Sequence, residues 1–311
     1  MSVRIFKSGN HSVKEMSDSK GGGGHRQFTK GAPMVKRLVQ RAMRKRATRF
    51  IPSFIRRALK PMVTRATGFD PRLTQLRIGE ARPDDCFIAS YPRSGNTWLR
   101  FILASLLAPS EEISFRNIDR FIPDPGRTPL DVEKMASPRL IKTHWPYFDL
   151  FPRCVYLVRD PRDVFISYYH YACINGWFAG DLEGFSLFRS AYGGWKEHVS
   201  RGLEHAAEHP DNVLLLKYEE ILSRPLAEIR RLDLFLGLNS SDKEIESAIK
   251  KTSFSSLKAK EKIHGTEHRG AAGFFREGTS GQWRNKLSAA QIQRMTLEYR
   301  PLLERLGYEL V

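Results

Sequence analysis

A lysine and a histidine lie close together at the end of a predicted strand, in LIKTHWPYF, residues 140–148. Lys142 could stabilise an anionic group during its transfer, and His144 could accept a proton as a general base. Pro146 stops the strand directly after them, so both side chains lie near its carboxyl end. Taken alone, His144 has the ordinary alternative of a structural histidine.

A turn that could bind an anion interrupts CFIASYPRSGNTWLRFILASLL, residues 86–107, between an apolar strand and an apolar helix. Asn96 or Thr97 is predicted to cap the helix. The backbone N–H groups of the turn, the helix dipole and Arg93 would then point at one place, which suits a phosphate. No Gly-Lys-Ser/Thr follows at Walker spacing, so ATP binding of the usual kind is not predicted. By itself, the stretch could also be an ordinary connection.

A second cation ends the next buried strand, in CVYLVRDPRDVFISYYHY, residues 154–171. Arg159 closes this strand, and Ser167 lies about two turns into the helix that follows. The two side chains could bind a second phosphate. A structural pair between Arg159 and Asp163 is the alternative.

A glycine-rich loop with arginines follows near the C-terminus, in AAGFFREGTSGQWRNKLS, residues 271–288. It places Gly273, Gly278 and Gly281 around Arg276 and Arg284. Such a loop can close over a phosphate, and it can also be a mobile surface segment.

The elements that must position these residues alternate between strand and helix, which predicts an α/β fold with an open, mostly parallel sheet. Strands are predicted at 86–91, 139–142, 153–159 and 212–217, and helices at 97–108, 162–172, 187–204, 225–236, 242–251 and 289–306. In such sheets ligands bind beyond the carboxyl ends of the strands, which is where the cations above are found.

Composition excludes several other classes of protein. With 311 residues, 41% of them hydrophobic, the chain can bury a sizeable core. Cys86, Cys154 and Cys173 are too few and too scattered for a disulfide framework or a zinc site. No apolar run approaches the ~20 residues of a membrane span, and no signal-type segment opens the sequence. We therefore expect a reduced, cytoplasmic protein.

The net charge of +17 belongs almost entirely to an N-terminal arm. Residues 1–69 hold 17 lysines and arginines against Glu15 and Asp18, a net +15, so the rest of the chain carries only +2. Nucleic-acid binding by the folded body is therefore not expected.

The arm itself divides into two predicted parts. Residues 1–33 are polar and glycine-rich, so we expect disorder. Residues 34–78 read as a basic amphipathic helical segment, for which peripheral attachment to an anionic membrane is the preferred hypothesis. Docking on the body, a nucleic-acid contact and a targeting role remain alternatives.

Four motifs together resemble the cytosolic-type sulfotransferase family in order and spacing. They are residues 92–98, 142–146, 159–164 with 167–169, and 278–285. Members of this family use 3′-phosphoadenosine 5′-phosphosulfate (PAPS) as sulfuryl donor and release 3′-phosphoadenosine 5′-phosphate (PAP). The resemblance covers residues 79–311, and it implies a three-layer α/β sandwich with a P-loop-like strand–turn–helix site for the phosphosulfate.

The resemblance also implies which residues bind the donor. It assigns the 5′-phosphosulfate loop to Arg93, Ser94, Gly95, Asn96, Thr97 and Trp98, with Trp98 placed to stack on adenine. It assigns the 3′-phosphate clamp to Arg159 and Ser167, joined by Arg276 and Gly278, and the surroundings of adenine to Tyr218, Thr252 and Phe254.

Three positions depart from the family pattern. Glu277 stands in a segment that typically reads Arg-Lys-Gly, which puts one phosphate contact in doubt. Arg93 replaces a lysine, keeping the charge but changing its geometry, and Asn96 replaces a threonine.

The expected activity is metal-free, in-line transfer of a sulfuryl group from PAPS to a hydroxyl or amine. Arg93 and Lys142 would stabilise the developing charge and His144 would take the acceptor's proton. The acceptor is expected to be a small molecule or a lipid-type alcohol.

Two other classes stay open from the residues alone. One is a nucleotide-dependent phosphotransferase, which should need Mg²⁺ and a Walker lysine. The other is a non-enzymatic anchor that binds membranes or anions through the basic arm.

Overall fold

The computed structural model describes residues 70–128, 131–185, 189–265 and 274–311. The chain divides into two compact units between Ala81 and Arg82. In the first unit, helix α1 (Arg72–Leu76) begins after Asp70, whose carboxylate accepts a 2.8 Å hydrogen bond from the backbone of Arg72. The predictions for residues 1–69 lie outside the described residues.

The second unit is built on a parallel sheet. Its strands are β1 (Cys86–Ser90), β2 (Leu140–Thr143), β3 (Arg153–Val158) and β6 (Val213–Lys217), in the order β2-β1-β3-β6. Ile88 lies opposite Lys142 on one side and Val155 on the other. A separate antiparallel hairpin joins β4 (Arg189–Ser190) to β5 (Gly193–Gly194).

Helices connect the strands and continue to the C-terminus. They are α2 (Asn96–Leu107), α3 (Pro161–Ile174), α4 (Trp195–Glu208), α5 (Tyr218–Ser223), α6 (Pro225–Leu236), α7 (Asp242–Lys251), α8 (Phe254–His264), α9 (Trp283–Lys286) and α10 (Ala289–Leu306). Among the described residues, none of these helices is long and apolar enough to cross a bilayer.

Helices cover both faces of the sheet because successive strand side chains point to opposite faces. Ile88 and Leu157 point into a buried cluster that they share with α2, α6 and α7. On the other face, Phe87 stacks on Phe151 with ring centroids 4.2 Å apart, and Tyr156 stacks on His198 of α4. The predicted α/β sandwich with a central parallel sheet is thereby confirmed.

Helix α4 is the one predicted helix whose start was badly placed. The prediction began it at residue 187, whereas the structure begins it at Trp195. The residues before it form the β4–β5 hairpin, which turns at Gly193 with a positive φ of 91°. Glycine is a poor helix former, so the Gly193-Gly194 pair ends any helix extended backward from Trp195.

Candidate active site

A cavity of about 450 Å³ opens at the carboxyl ends of β1, β2 and β3. It brings together most of the residues that the sequence nominated. Those that line it are Arg93, Gly95, Asn96, Thr97, Trp98, Lys142, His144, Arg159, Ser167, Tyr218, Phe254, Arg276 and Gly278. Ser94 and Thr252 do not line it.

The turn after β1 is held by a glycine and an asparagine. Gly95, not Asn96 or Thr97, is the N-cap of α2, so the predicted side-chain cap is wrong. Asn96 instead donates its amide to the carbonyl of Ile88 (3.0 Å) and to Ser90 Oγ (3.1 Å). With no side chain capping the helix, its first N–H groups remain available to an anion.

Gly95 cannot carry a side chain in this turn. Its φ is +99°, and a Cβ there would lie 2.6 Å from a ring carbon of Tyr218. Contacts below 3 Å would displace the aromatic ring. The close approach therefore holds the turn directly against the wall of the cavity.

Ser167, which the sequence analysis grouped with Arg159, contacts Arg93. The guanidinium Nε of Arg93 donates to Ser167 Oγ over 3.1 Å. The same guanidinium lies between the rings of Tyr171 and Phe274, 4.7 Å from each centroid. Cation–π contact on two sides fixes the charge at the centre of the cavity.

Arg159 is buried and joins the turn after β1 to the glycine-rich loop. Its guanidinium donates to the carbonyls of Arg93 (3.3 Å) and Thr279 (3.1 Å) and lies 4.1 Å from the ring centroid of Tyr218. Its Nε is buried with no hydrogen-bond partner. The alternative pair with Asp163 also exists, at 3.9 Å, so the structural and ligand-binding interpretations are compatible.

The carboxylate of Asp163 anchors the glycine-rich loop to α3. This carboxylate accepts backbone hydrogen bonds from Gly281 (2.6 Å) and Trp283 (3.1 Å). Gly278 has a φ of +66°, and a Cβ there would lie 2.3 Å from the ring of Phe254. The loop therefore packs against the aromatic wall at a position that tolerates only glycine. Gly273 lies outside the described residues.

Glu277 engages the arginine that the resemblance assigns to the 3′-phosphate. Its carboxylate pairs with Arg276 and with Lys286. Burial opposes ionisation, but these two cations outweigh it and lower the pKa of Glu277. Arg276 also donates to Gln282 Oε1 over 2.5 Å. An incoming phosphate would therefore compete with a carboxylate for Arg276.

Trp98 lines the cavity and is held in place by Thr252, which was itself predicted to line the cavity. The indole Nε1 of Trp98 donates to the carbonyl of Thr252 over 3.0 Å, and the indole meets Tyr218 edge-on. The hydroxyl of Thr252 is directed away, to the carbonyl of Ala248 (2.7 Å). Thr252 thus supports Trp98 from the side away from the cavity.

Ser94 is fully buried, and its hydroxyl has no hydrogen-bond partner.

Lys142 forms an ion pair with an acidic residue that the sequence analysis did not assign to the site. Its ammonium lies 2.7 Å from Asp124 Oδ2, with both groups buried. Burial alone would raise the pKa of Asp124, but the charge and hydrogen bond of Lys142 lower it to about 2. Asp124 lies in FRNIDRFIPDPG, residues 115–126, and its 18-residue separation from Lys142 follows no motif.

His144 lines the cavity and has one ring nitrogen bonded to the backbone. Its Nδ1 lies 2.7 Å from the carbonyl of Ser90. Because a carbonyl only accepts, Nδ1 must carry the hydrogen, and Nε2 of the neutral ring keeps its lone pair. Burial, followed by the charge of Lys142, lowers the pKa of His144 well below its usual value. The imidazole is therefore neutral at pH 7.

A second histidine, which sequence reasoning missed, supports the first. His198 Nε2 donates to the carbonyl of His144 over 3.1 Å, and Tyr156 OH lies 3.0 Å from His198 Nδ1. Burial lowers the pKa of His198 to about 4, so this ring is also neutral at pH 7. The sequence offered no signal for it except its position on an amphipathic helix.

Comparison with known proteins agrees with this geometry. The family model "Sulfotransferase domain" matches residues 83–307. Sulfotransferase 1A1 of the dog, Canis lupus familiaris, is 31% identical over 269 residues, covering 77% of this chain and 90% of the relative.

Solved structures give the same answer. Mouse sulfotransferase SULT7A1 complexed with PAP has a TM-score of 0.61 at 26% identity, covering 74% of this chain and 88% of that one. A retinol dehydratase complexed with androsterone and PAP has a TM-score of 0.58 at 24% identity, with 71% and 81% covered, and shows the shared fold. The chain therefore belongs to the PAPS-dependent sulfotransferase family.

Proposed function

We propose that the chain transfers the sulfuryl group of PAPS to a hydroxyl or amine, with His144 as the general base. The observation that carries this proposal is the neutral imidazole whose Nδ1 is committed to the Ser90 carbonyl. Such a ring presents a basic Nε2 in the same cavity as Lys142 and Arg93. Two fixed cations beside one base suit an in-line displacement with charge on the leaving group.

The residues present fit the donor nucleotide. Arg159 is nine-tenths buried with an unpartnered Nε, which leaves a donor for a phosphate oxygen. Gly95 and Gly278 keep two loops free of side chains on either side of Trp98 and Phe254. Arg93, Ser167 and Arg159 would hold the phosphates, and the aromatic wall would hold the adenine.

The bound donor would supply an activated sulfur, and the residues supply charge and a base. A lone pair of the acceptor oxygen forms the new S–O bond as the bond from sulfur to the 5′-phosphate oxygen breaks. The electrons of the broken bond stay on the phosphate, which leaves PAP. His144 Nε2 takes the acceptor's proton, while Lys142 and Arg93 stabilise the equatorial and leaving oxygens.

Aromatic side chains in the same cavity as His144 support a small apolar alcohol as the acceptor. Tyr168, Tyr171, Trp177 and Tyr192 all line the cavity. The sequence of residues 171–195 offers Trp177, Phe178, Phe185, Phe188 and Tyr192 either as pocket walls or as core or lid residues. Of these, Trp177 and Tyr192 line the cavity, whereas Phe185 is buried in the core. The neighbouring structures bind androsterone and retinol, which are hydroxylated apolar molecules. Phe188 lies outside the described residues.

Replacing His144 with alanine tests the proposed base. We expect His144→Ala to bind PAP with wild-type affinity. In the described part of the chain, the hydrogen bonds and ring contacts of His144 are to Ser90, Tyr192 and His198, and none of these is a proposed phosphate-binding residue. Transfer from radiolabelled PAPS, screened over hydroxylated lipids, phenols and sugars, should fall by about 10² to 10⁴. The exposed His209 provides the control substitution. Wild-type turnover by His144→Ala would remove His144 from the mechanism.

Calorimetry separates the rival classes. We expect heat on titration with PAP and none with ATP and Mg²⁺, since the Walker lysine is missing. Binding of ATP with Mg²⁺ but not PAP would favour a phosphotransferase.

The basic arm supports a further proposal about location. Residues 34–78 would hold this enzyme on anionic membranes through their lysines and arginines, each of which adds on the order of 1 kcal/mol near such a surface. Liposome sedimentation should retain the full chain and release a form lacking residues 1–69. Equal partition of both forms would end this proposal.

A further inference from the structure

Asp124 is placed in the reacting half of the cavity by a set of short contacts. Its Oδ2 accepts a 2.7 Å hydrogen bond from the ammonium of Lys142. Its Oδ1 accepts a 3.0 Å hydrogen bond from the backbone N–H of Gly126. The residue is only 7% exposed, so this carboxylate has been taken out of water for a specific partner.

The loop that carries Asp124 is fixed before any ligand binds. The backbone N–H of Lys142 donates to the carbonyl of Pro123 over 3.0 Å, which docks the loop against β2. The fully buried Arg100 donates to the carbonyl of Ile122 and pairs with Asp119, whose carboxylate accepts the N–H of Asp124. Asp124 therefore meets Lys142 from a rigid support.

The negative charge of Asp124 offsets the positive charge of Lys142 beside His144. On the side of the cavity mouth, Arg127 Nε lies 3.8 Å from Asp124 Oδ2, the same oxygen that accepts from Lys142. Burial and the ammonium of Lys142 depress the pKa of His144, and the carboxylate of Asp124 acts in the opposite direction. His198 adds a weaker depression from α4. Loss of the Asp124 carboxylate would therefore leave the charge of Lys142 less offset at His144.

We propose that Asp124 is a positioning residue for sulfuryl transfer, which acts by fixing the Lys142 ammonium beside His144. This inference rests on the proposed function of Lys142 and His144. An ammonium can donate three hydrogen bonds, so a bond to Asp124 is compatible with another to a sulfonate oxygen. Asp124, which also lines the cavity, sets the direction from which Lys142 meets the transferring group.

The test compares Asp124→Asn, Asp124→Glu and Lys142→Ala with the combination of Asp124→Asn and Lys142→Ala. Misplacing a reacting group by about 1 Å costs on the order of 10² in rate, so Asp124→Asn should lower kcat by about 10²-fold. PAP affinity and the donor KM should stay at wild-type values. Asp124→Glu should recover part of kcat because it restores the charge. The exposed Asp211→Asn is the matched control.

The combined variant shows whether Asp124 works through Lys142. If it does, Asp124→Asn should cost almost nothing further in the Lys142→Ala background. An equal loss of kcat in both backgrounds would overturn the inference, because the carboxylate would then act elsewhere. Wild-type kcat in Asp124→Asn would overturn it as well.

A labelling experiment reads the ion pair without using activity. Trace acetylation with acetic anhydride, followed by peptide mass spectrometry, compares Lys142 with the exposed Lys243 in the same digest. A buried ammonium that loses its counter-charge is disfavoured against the neutral amine, so Lys142 should react faster in Asp124→Asn. An unchanged rate would overturn the inference. If the wild type transfers no sulfuryl group, the proposed function fails, and the labelling still tests the ion pair.

Discussion

Replacing Arg159 with alanine should weaken PAP binding more than any other single change at the phosphate-binding loops. The guanidinium bridges the carbonyls of Arg93 and Thr279, which belong to the two loops that would enclose the nucleotide. Its Nε is a buried donor with no hydrogen-bond partner. The substitution removes this donor and the bridge together.

The size of the effect follows from the number of bonds lost. A hydrogen bond to a charged group contributes about 1.5–3 kcal/mol, and 1.4 kcal/mol corresponds to tenfold in Kd. Loss of one such bond to phosphate predicts a Kd for PAP that is about 10- to 150-fold higher. Arg159→Lys keeps the charge but lacks the planar fork that reaches both carbonyls, so its Kd should lie between the wild type and Arg159→Ala.

Isothermal titration with PAP measures this effect directly. The exposed Arg294→Ala removes one positive charge outside the cavity and serves as the matched control for net charge. Thermal unfolding of each variant shows that the fold is retained. An Arg159→Ala protein that is folded and binds PAP with wild-type affinity would refute the assignment of Arg159 to a phosphate.

Two further predictions follow from packing and burial. Gly278→Ala should lower PAP affinity because the new Cβ displaces Phe254. Gly307→Ala is the control, since Gly307 has the same φ of +66° and nothing within 4 Å of the new Cβ, and this variant should bind PAP normally. Equal PAP affinities of the two variants in isothermal titration would contradict the packing argument. His198 has a folded pKa of about 4 against a usual value near 6.5, so the unfolded state binds more protons between these values and stability must fall as pH drops through this window. The loss should approach about 3 kcal/mol by pH 4 in urea unfolding, and His198→Asn should show a shallower dependence; an equal slope would contradict the role of His198.

The residues that the sequence nominated were recognisable because each lies at or just beyond the carboxyl end of a strand. Lys142 is the penultimate residue of β2, whereas Arg93 and Arg159 follow β1 and β3; the three strands are neighbours in the sheet. Parallel strands align their carboxyl ends, so local motifs far apart in the chain were bound to converge. Hydrophobic runs placed all four strands of this sheet to within a residue or so, because strands buried on both faces are nearly continuous apolar segments.

Contacts between motifs were beyond the reach of the sequence. Asp124 pairs with Lys142 only because the loop before β2 folds back on it, and no spacing rule relates the two. The support of His144 by His198 depends on how α4 packs against the sheet. The N-cap prediction failed because Asn96, a good capping residue, found stronger partners in the buried end of β1. In each case tertiary packing decided among locally reasonable options.

In the described sheet, β2 has a strand neighbour on one side only, whereas β1 and β3 are flanked on both sides. The proposed base and its neighbouring lysine are thus carried by an edge strand, whereas Arg93 and Arg159, which are proposed to bind phosphate, follow interior strands. Transient separation of β2 from the sheet would abolish turnover, whereas nucleotide binding would persist. Amide exchange in residues 140–143 should therefore be faster than in β1 and β3, and should track catalytic loss during mild denaturation.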